Sequence, residues 1–140
     1  KPHSTEVAGL APNPSGDDRY YNNIFLTAGL PAYDEAKLPV FMAGNVFLKG
    51  AKPSRHEADP IVQPDFDPAI ELMQQGDATH LRMTIDPSWN DASRRFVTTE
   101  MLGKAKLPGL PYEQPDASPY RIDTDYFGAK RSANSPDPSF

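Results

Sequence analysis

Three pairs of carboxylates are the first candidates for chemistry in this sequence: Asp17 with Asp18, Asp65 with Asp67, and Asp123 with Asp125. Paired acids can hydrolyse a glycosidic bond when two carboxyl groups face each other across a sugar ring. Neighbouring Asp residues in a loop point apart, so these pairs are expected to cap turns or face solvent. Asp123 and Asp125 would share one face of an extended segment. They could touch Ca²⁺, but that ion takes about six or more oxygens, and no calcium-loop pattern accompanies them.

His3, His56 and His80 lie far apart, without the i, i+4 pairing that puts two ligands on one helix face. There is no Cys, so neither thiolate metal sites nor disulfides can form. No Gly-rich phosphate loop and no nucleophile elbow occurs. No metal and no cofactor is therefore expected. Trp89 follows an alternating run and is expected to plug a core or interface, although a lone Trp can also stack on a sugar.

Composition narrows the partners. Lys and Arg number 14 against 19 Asp and Glu, a net charge of −5. Cations adjoin only as Arg94-Arg95 and Lys130-Arg131, too few for a phosphate backbone, which is held by many at once. Nucleic acid is not an expected partner. Neither is a membrane, since no apolar run is long enough to span one.

The elements that would position any site are extended. Pro occurs 16 times and Gly 9; each Pro removes an N–H and clashes with a preceding helical turn. The organising stretch is residues 19–27, whose centre Asn23-Ile-Phe-Leu26 is matched by Asn45-Val-Phe-Leu48. Two strand-like runs, each opened by Asn at a short period, suggest successive coils of a β-solenoid. Both faces of each run carry apolar groups, as in a strand covered on both sides. Asn22 and Asn23 are turn residues, and at a coil corner one Asn can bond the equivalent Asn of the next coil.

Further along, residues 50–60 look like a linker or surface loop, with a soft boundary. Asp67-Pro68 is expected to cap a short helix over residues 69–75. Residues 79–86 alternate with period two and predict a half-buried antiparallel strand. Residues 94–99 and 121–128 are further extended candidates, and 106–120 is Pro-rich.

Several strings together carry a resemblance. Lys1-Pro-His-Ser-Thr-Glu-Val-Ala-Gly-Leu10, Gly16-Asp-Asp-Arg-Tyr-Tyr-Asn-Asn-Ile-Phe25, Met42-Ala-Gly-Asn-Val-Phe47 and Ile122-Asp-Thr-Asp-Tyr-Phe-Gly128 resemble the later coils of secreted right-handed parallel β-helix proteins. The group they resemble is the β-xylosidases of glycoside hydrolase family 120. In that family a β-helix carries the active site, and retaining hydrolysis uses an Asp nucleophile and a Glu acid/base. Both belong to coils before the Lys-Pro-His-Ser-Thr string, and no motif here matches either. No catalytic residue is carried over. By position, the resemblance makes His3, Ser4, Thr5 and Glu6 candidates for a substrate-binding subsite.

The resemblance implies an all-β chain: terminal coils of a right-handed parallel β-helix over residues 1–50, then an extended, Pro-rich β module over 51–140. It implies the C-terminal part of a secreted or periplasmic glycosidase acting on oligosaccharide or polysaccharide. Its partner would be the N-terminal part of the same protein, and the segment alone would be inactive. Two competitors are a non-catalytic carbohydrate-binding or structural β module, presenting aromatics such as Tyr20, Tyr33 or Trp89, and a polysaccharide lyase relative.

Overall fold

A computed structural model describes residues 16–132. The repeated runs each fold as two short strands joined at a corner. β1 (Arg19–Tyr21) and β2 (Ile24–Leu26) form the first, β3 (Phe41–Ala43) and β4 (Val46–Leu48) the second, β5 (Glu57–Ala58) and β6 (Ile61–Gln63) the third. Odd strands assemble into one parallel sheet in the order β1-β3-β5, and even strands into another in the order β2-β4-β6. Each strand–corner–strand unit thus adds one strand to both sheets.

The register is the one implied by the repeat. Ile24, Phe25 and Leu26 lie beside Val46, Phe47 and Leu48, which pair in turn with Ile61, Val62 and Gln63. The corners need left-handed backbone, and the chain supplies Asn22 (φ 58), Gly44 (φ 69) and Asp59 (φ 55) there, residue types that tolerate it. At Gly44 space matters too, because a Cβ would meet Asn22 Oδ1 at 2.7 Å.

Alternation sends the two faces of β2 and β4 into different apolar clusters. Between the sheets, Leu30, Met42, Phe47 and Ala51 are buried, with Tyr20, Phe25, Tyr33 and Val40 packed on them. Phe25 and Phe47 stack at 5.2 Å. On the outer side, Val46 and Leu48 bury against Trp89, with Ile24, Leu26, Ile61 and Phe66 around them. Trp89 is 0% exposed, and its Nε1–H donates to Gln63 Oε1 at 2.9 Å. The core-plug reading of Trp89 holds.

Phe66, Met83 and Trp89 therefore cover the even-strand sheet, and residues 94–122 fold back over the odd-strand sheet. Arg94 Nε donates to Gly44 O at 3.1 Å, Asn22 Nδ2 to Arg95 O at 2.9 Å, and Arg19 Nε to Leu102 O at 2.7 Å. The returning segment holds β9 (Val97–Thr98), the short helix α1 (Thr99–Leu102) and β10 (Arg121–Ile122), which pairs antiparallel with β9. Antiparallel bridges close three small loops, at Lys104 with Pro111, Glu113 with Pro119 and Thr124 with Lys130.

The all-β expectation holds, since strands dominate and α1 has only 4 residues. Three local readings are corrected. Residues 57–63, expected to be partly loop, supply the third strand of each sheet, so strand pairing crosses the expected 50/51 division. Residues 69–75 are not helical. Glu71–Gln75 is β7, paired antiparallel with β8 (Ala78–Arg82), and the two-residue turn Gly76-Asp77, with Gly76 at φ 61, sets up a hairpin. Asp67 Oδ1 accepts from Ala69 N–H at 2.9 Å, but this closes a turn rather than capping a helix. Finally, β8 is exposed along its whole length rather than half-buried; of its alternating apolar residues and those just beyond, Met83 packs on the Trp89 cluster while Leu81 stays 56% exposed.

Candidate functional site

Two polar constellations emerge from this fold: a ladder inside the corners and a groove outside. The ladder starts at Asn23, whose N–H and Nδ2 both donate to Asn45 Oδ1, at 2.8 and 3.1 Å. One coil on, Asn45 repeats the pattern. Its N–H donates to Glu57 Oε1 at 3.1 Å and its Nδ2 to Glu57 Oε2 at 2.7 Å, with a further bond from Nδ2 to Tyr20 O at 2.8 Å. Asn45 is completely buried. Burial pushes the Glu57 carboxyl above its usual range, partly opposed by the two bonds from Asn45. Deeper between the sheets, Tyr20 and Tyr33 share a 2.6 Å hydroxyl bond. That bond, with burial, pushes Tyr20 up to about 12. This ladder has a structural logic: its amides bond one another, a backbone carbonyl and a carboxylate.

The groove is 710 Å³ and open to solvent. Its floor is the outer face of β1 and β3, from Tyr21 to Phe41, and its far wall is the returning segment, with Arg95, Phe96, Glu100 and Arg121. His56 lies at its edge. Three cation–π contacts stiffen the groove and its surroundings. Arg121 sits 4.7 Å from the centre of the Phe96 ring, and Arg19 lies 4.8 Å from Phe41 and 4.7 Å from Tyr112. Arg19 is further fixed by Asp17 at 2.8 Å. The Lys106 N–H, then Arg19, hold the Asp17 carboxyl below its ordinary value. Burial raises the Tyr21 hydroxyl. Aromatic faces beside planar charged groups suit a polar ring. Among the described lining residues Glu100 is the one carboxylate, whereas two-carboxylate hydrolysis uses a facing pair.

The residues singled out from the sequence are dispersed. His3, Ser4, Thr5 and Glu6 lie outside the described residues. His56 reaches the groove; His80 sits on the exposed hairpin opposite Met73. Asp67 pairs with Lys49 at 2.8 Å. Asp123 pairs with Lys130 at 3.0 Å and Arg121 at 3.1 Å, and Lys130 chiefly holds its carboxyl low. Asp125 accepts from Phe127 and Ala129 N–H groups. The carboxylates thus cap turns and pair with cations, as expected of neighbouring acids in loops. Tyr20, Tyr33 and Trp89 pack inside or under the sheets and are not the sugar-presenting aromatics the competing module reading required. Phe41, Phe96, Glu100 and Arg121 had no local signal in the sequence, since only the fold-back of residues 94–122 brings them together.

No protein-family profile and no curated protein matches this chain. A solved structure does. It is XylC, described as a complex with xylose, with a TM-score of 0.79 and 27% sequence identity over 88% of this chain. The chain spans 24% of the length of XylC. Its fold is therefore that of a part of a protein whose structure contains xylose.

Proposed function

We propose that this chain forms the closing coils and packing module of a right-handed parallel β-helix glycosidase of the β-xylosidase kind, related to glycoside hydrolase family 120. The similarity to XylC over 88% of the chain carries the reading. Two further observations support it: strands stacked in parallel with an in-register repeat, and no facing pair of carboxylates around the groove. In this reading the nucleophile and the acid/base belong to other coils of the same protein, and hydrolysis proceeds with retention. The protein is secreted or periplasmic and acts on oligosaccharides or polysaccharides from plant material. His3, Ser4, Thr5 and Glu6 line a sugar subsite, and the groove beside Phe41 and Phe96 contributes binding contacts rather than acid–base chemistry.

The test is turnover of an aryl β-xyloside by the full-length gene product and, separately, by this chain. Release of the phenol by the first and none by the second is expected. A full-length product that binds xylose without cleaving the xyloside would instead favour the non-catalytic module, for which the groove's three aromatic rings, Tyr21, Phe41 and Phe96, are the favouring observation. Unsaturated, ultraviolet-absorbing products would single out a lyase.

A further inference from the structure

On the other side of Tyr21 from the groove lies a second cleft, of 470 Å³, under the loop closed by Thr124 and Lys130. Asp125 fixes that loop from within. Its Oδ1 accepts from Phe127 N–H at 2.9 Å and Ala129 N–H at 2.8 Å, and Gly128 takes φ 83 to complete the turn. The loop holds Tyr126 91% exposed and Phe127 90% exposed, edge to face at 5.4 Å. Two large rings held in water by an ordered turn contribute little to packing and are well placed for binding.

The cleft beneath them is lined by Tyr126, Asn22, Asn23, Thr124, Asp125 and Arg131. Arg131 is the unusual member. Its Nε and Nη2 are buried and have no hydrogen-bond partner among the described residues. Two guanidinium nitrogens withdrawn from water without an acceptor are unfavourable, so the cleft can take an acceptor there, best an anion. A planar carboxylate matches the guanidinium fork with two parallel bonds. Asp125 does not fill this role: neither buried Arg131 nitrogen bonds it, and its Oδ1 is engaged by its own loop's N–H groups. The Thr124 hydroxyl suits a sugar hydroxyl, and the Tyr126 ring offers a stacking face.

We propose that this cleft binds a carboxylated saccharide, a sugar bearing a uronic acid, with Arg131 taking the carboxylate and Tyr126 stacking on the ring. The choice of a saccharide over other carboxylates rests on the glycosidase reading above; the need for an anion rests on Arg131 alone.

The experiment compares, by calorimetric titration into the full chain, a xylo-oligosaccharide carrying one glucuronic acid with the unsubstituted oligomer of the same length and with a short Glu-containing peptide. The acidic saccharide should bind about tenfold more tightly than the neutral one, as one charge-assisted bond pair implies. The preference should fall below about twofold in Arg131→Gln and weaken with added salt. Equal affinity for the two saccharides, a preference that survives Arg131→Gln, or tighter binding of the peptide would each overturn it. Unliganded Arg131→Met gives an independent check. Removing a guanidinium that has no partner should leave the melting temperature unchanged or higher, whereas a fall of several degrees would mean the chain itself supplies the acceptor and the site is not vacant for a ligand. Xyloside turnover plays no part in any of these readouts, so an inactive full-length product would sink the glycosidase reading without touching this one.

Discussion

Replacing Asn45 with Ala removes the centre of the corner ladder. The side chain is completely buried. Its Oδ1 is the acceptor for Asn23 N–H and Nδ2, and its Nδ2 is the donor to Tyr20 O and Glu57 Oε2. Truncation leaves the Asn23 N–H and Nδ2 without this acceptor, and takes one donor each from the Tyr20 carbonyl and from a carboxylate that keeps a second bond from Asn45 N–H. Orphaned buried groups cost about 1–3 kcal/mol each, more when charged, and water entering the vacated space returns part of that, so a net loss of about 3–6 kcal/mol is expected. Set against a typical domain stability of roughly 5–15 kcal/mol, such a loss is a large fraction of the whole. Urea unfolding of the full chain reads it as a drop in midpoint at unchanged slope. Asn45→Asp is the informative companion. It keeps the Oδ1 acceptor but loses the Nδ2 donor and sets a second carboxylate against Glu57, so it should be destabilised more at pH 7 than at pH 4.5. A loss below about 1 kcal/mol for Asn45→Ala, at unchanged slope, would refute the view that corner amides hold the coils in register.

Two further outcomes follow from the same contacts. Trp89→Ala should cost about 3–5 kcal/mol by cavity formation, and Trp89→Phe about 1–2 kcal/mol, because the phenyl ring keeps most of the packing but leaves the Gln63 carbonyl without its indole donor; thermal melting would rank the two, and an equal loss for both would argue against the indole bond. The Glu57 carboxyl is raised by burial, so its contribution to stability is fully present below the ordinary glutamate value of 4.5 and is lost as pH rises through the raised folded value. Wild type measured against Glu57→Gln should therefore gain relative stability as pH falls through that window, and a flat difference would refute the assignment.

The strand pairing was legible because two copies of one pattern, Asn23 to Leu26 and Asn45 to Leu48, put Asn, a β-branched residue, Phe and Leu at the same offsets. Period-two alternation then sent Phe25 and Phe47 inward together and left Ile24 and Val46 for the outer layer. The third coil was illegible for the opposite reason. Its inward position beside Met42 is Glu57 rather than an apolar residue, and Asp59-Pro60 splits its few strand residues, so locally it reads as a loop and only pairing to β3 and β4 makes it sheet. The misread over residues 69–75 has a similar root. Glu, Leu, Met and Gln favour helix intrinsically, but the turn at Gly76 overrides that weak preference by offering β8 as a partner. The groove could not be read at all, since Phe41 and Phe96 meet through the long return of the chain, and Arg94-Arg95 looks like a surface charge pair until Arg94 is seen buried against Gly44 O.

The same ladder bears on why the two parallel sheets stop at three strands among the described residues. An Asn at a corner both accepts and donates, so it can pass the pattern to the next coil without limit. Register puts Pro60 where Asn23 and Asn45 stand in the earlier coils. Proline has no N–H and no amide, so it can extend neither the backbone nor the side-chain ladder. Glu57 takes the acceptor role in its place, and an ionised carboxylate accepts without donating onward. With Asp59 and Pro64 flanking it, this edge carries the charges and prolines that discourage another strand from adding. The chain after Gln63 then turns away to cover the outer faces instead of stacking a fourth strand on either sheet. The change from an amide that relays hydrogen bonds to a carboxylate that terminates them thus coincides with the last strand of each parallel sheet, and it makes Glu57, rather than any of the paired aspartates, the acid most closely tied to this architecture.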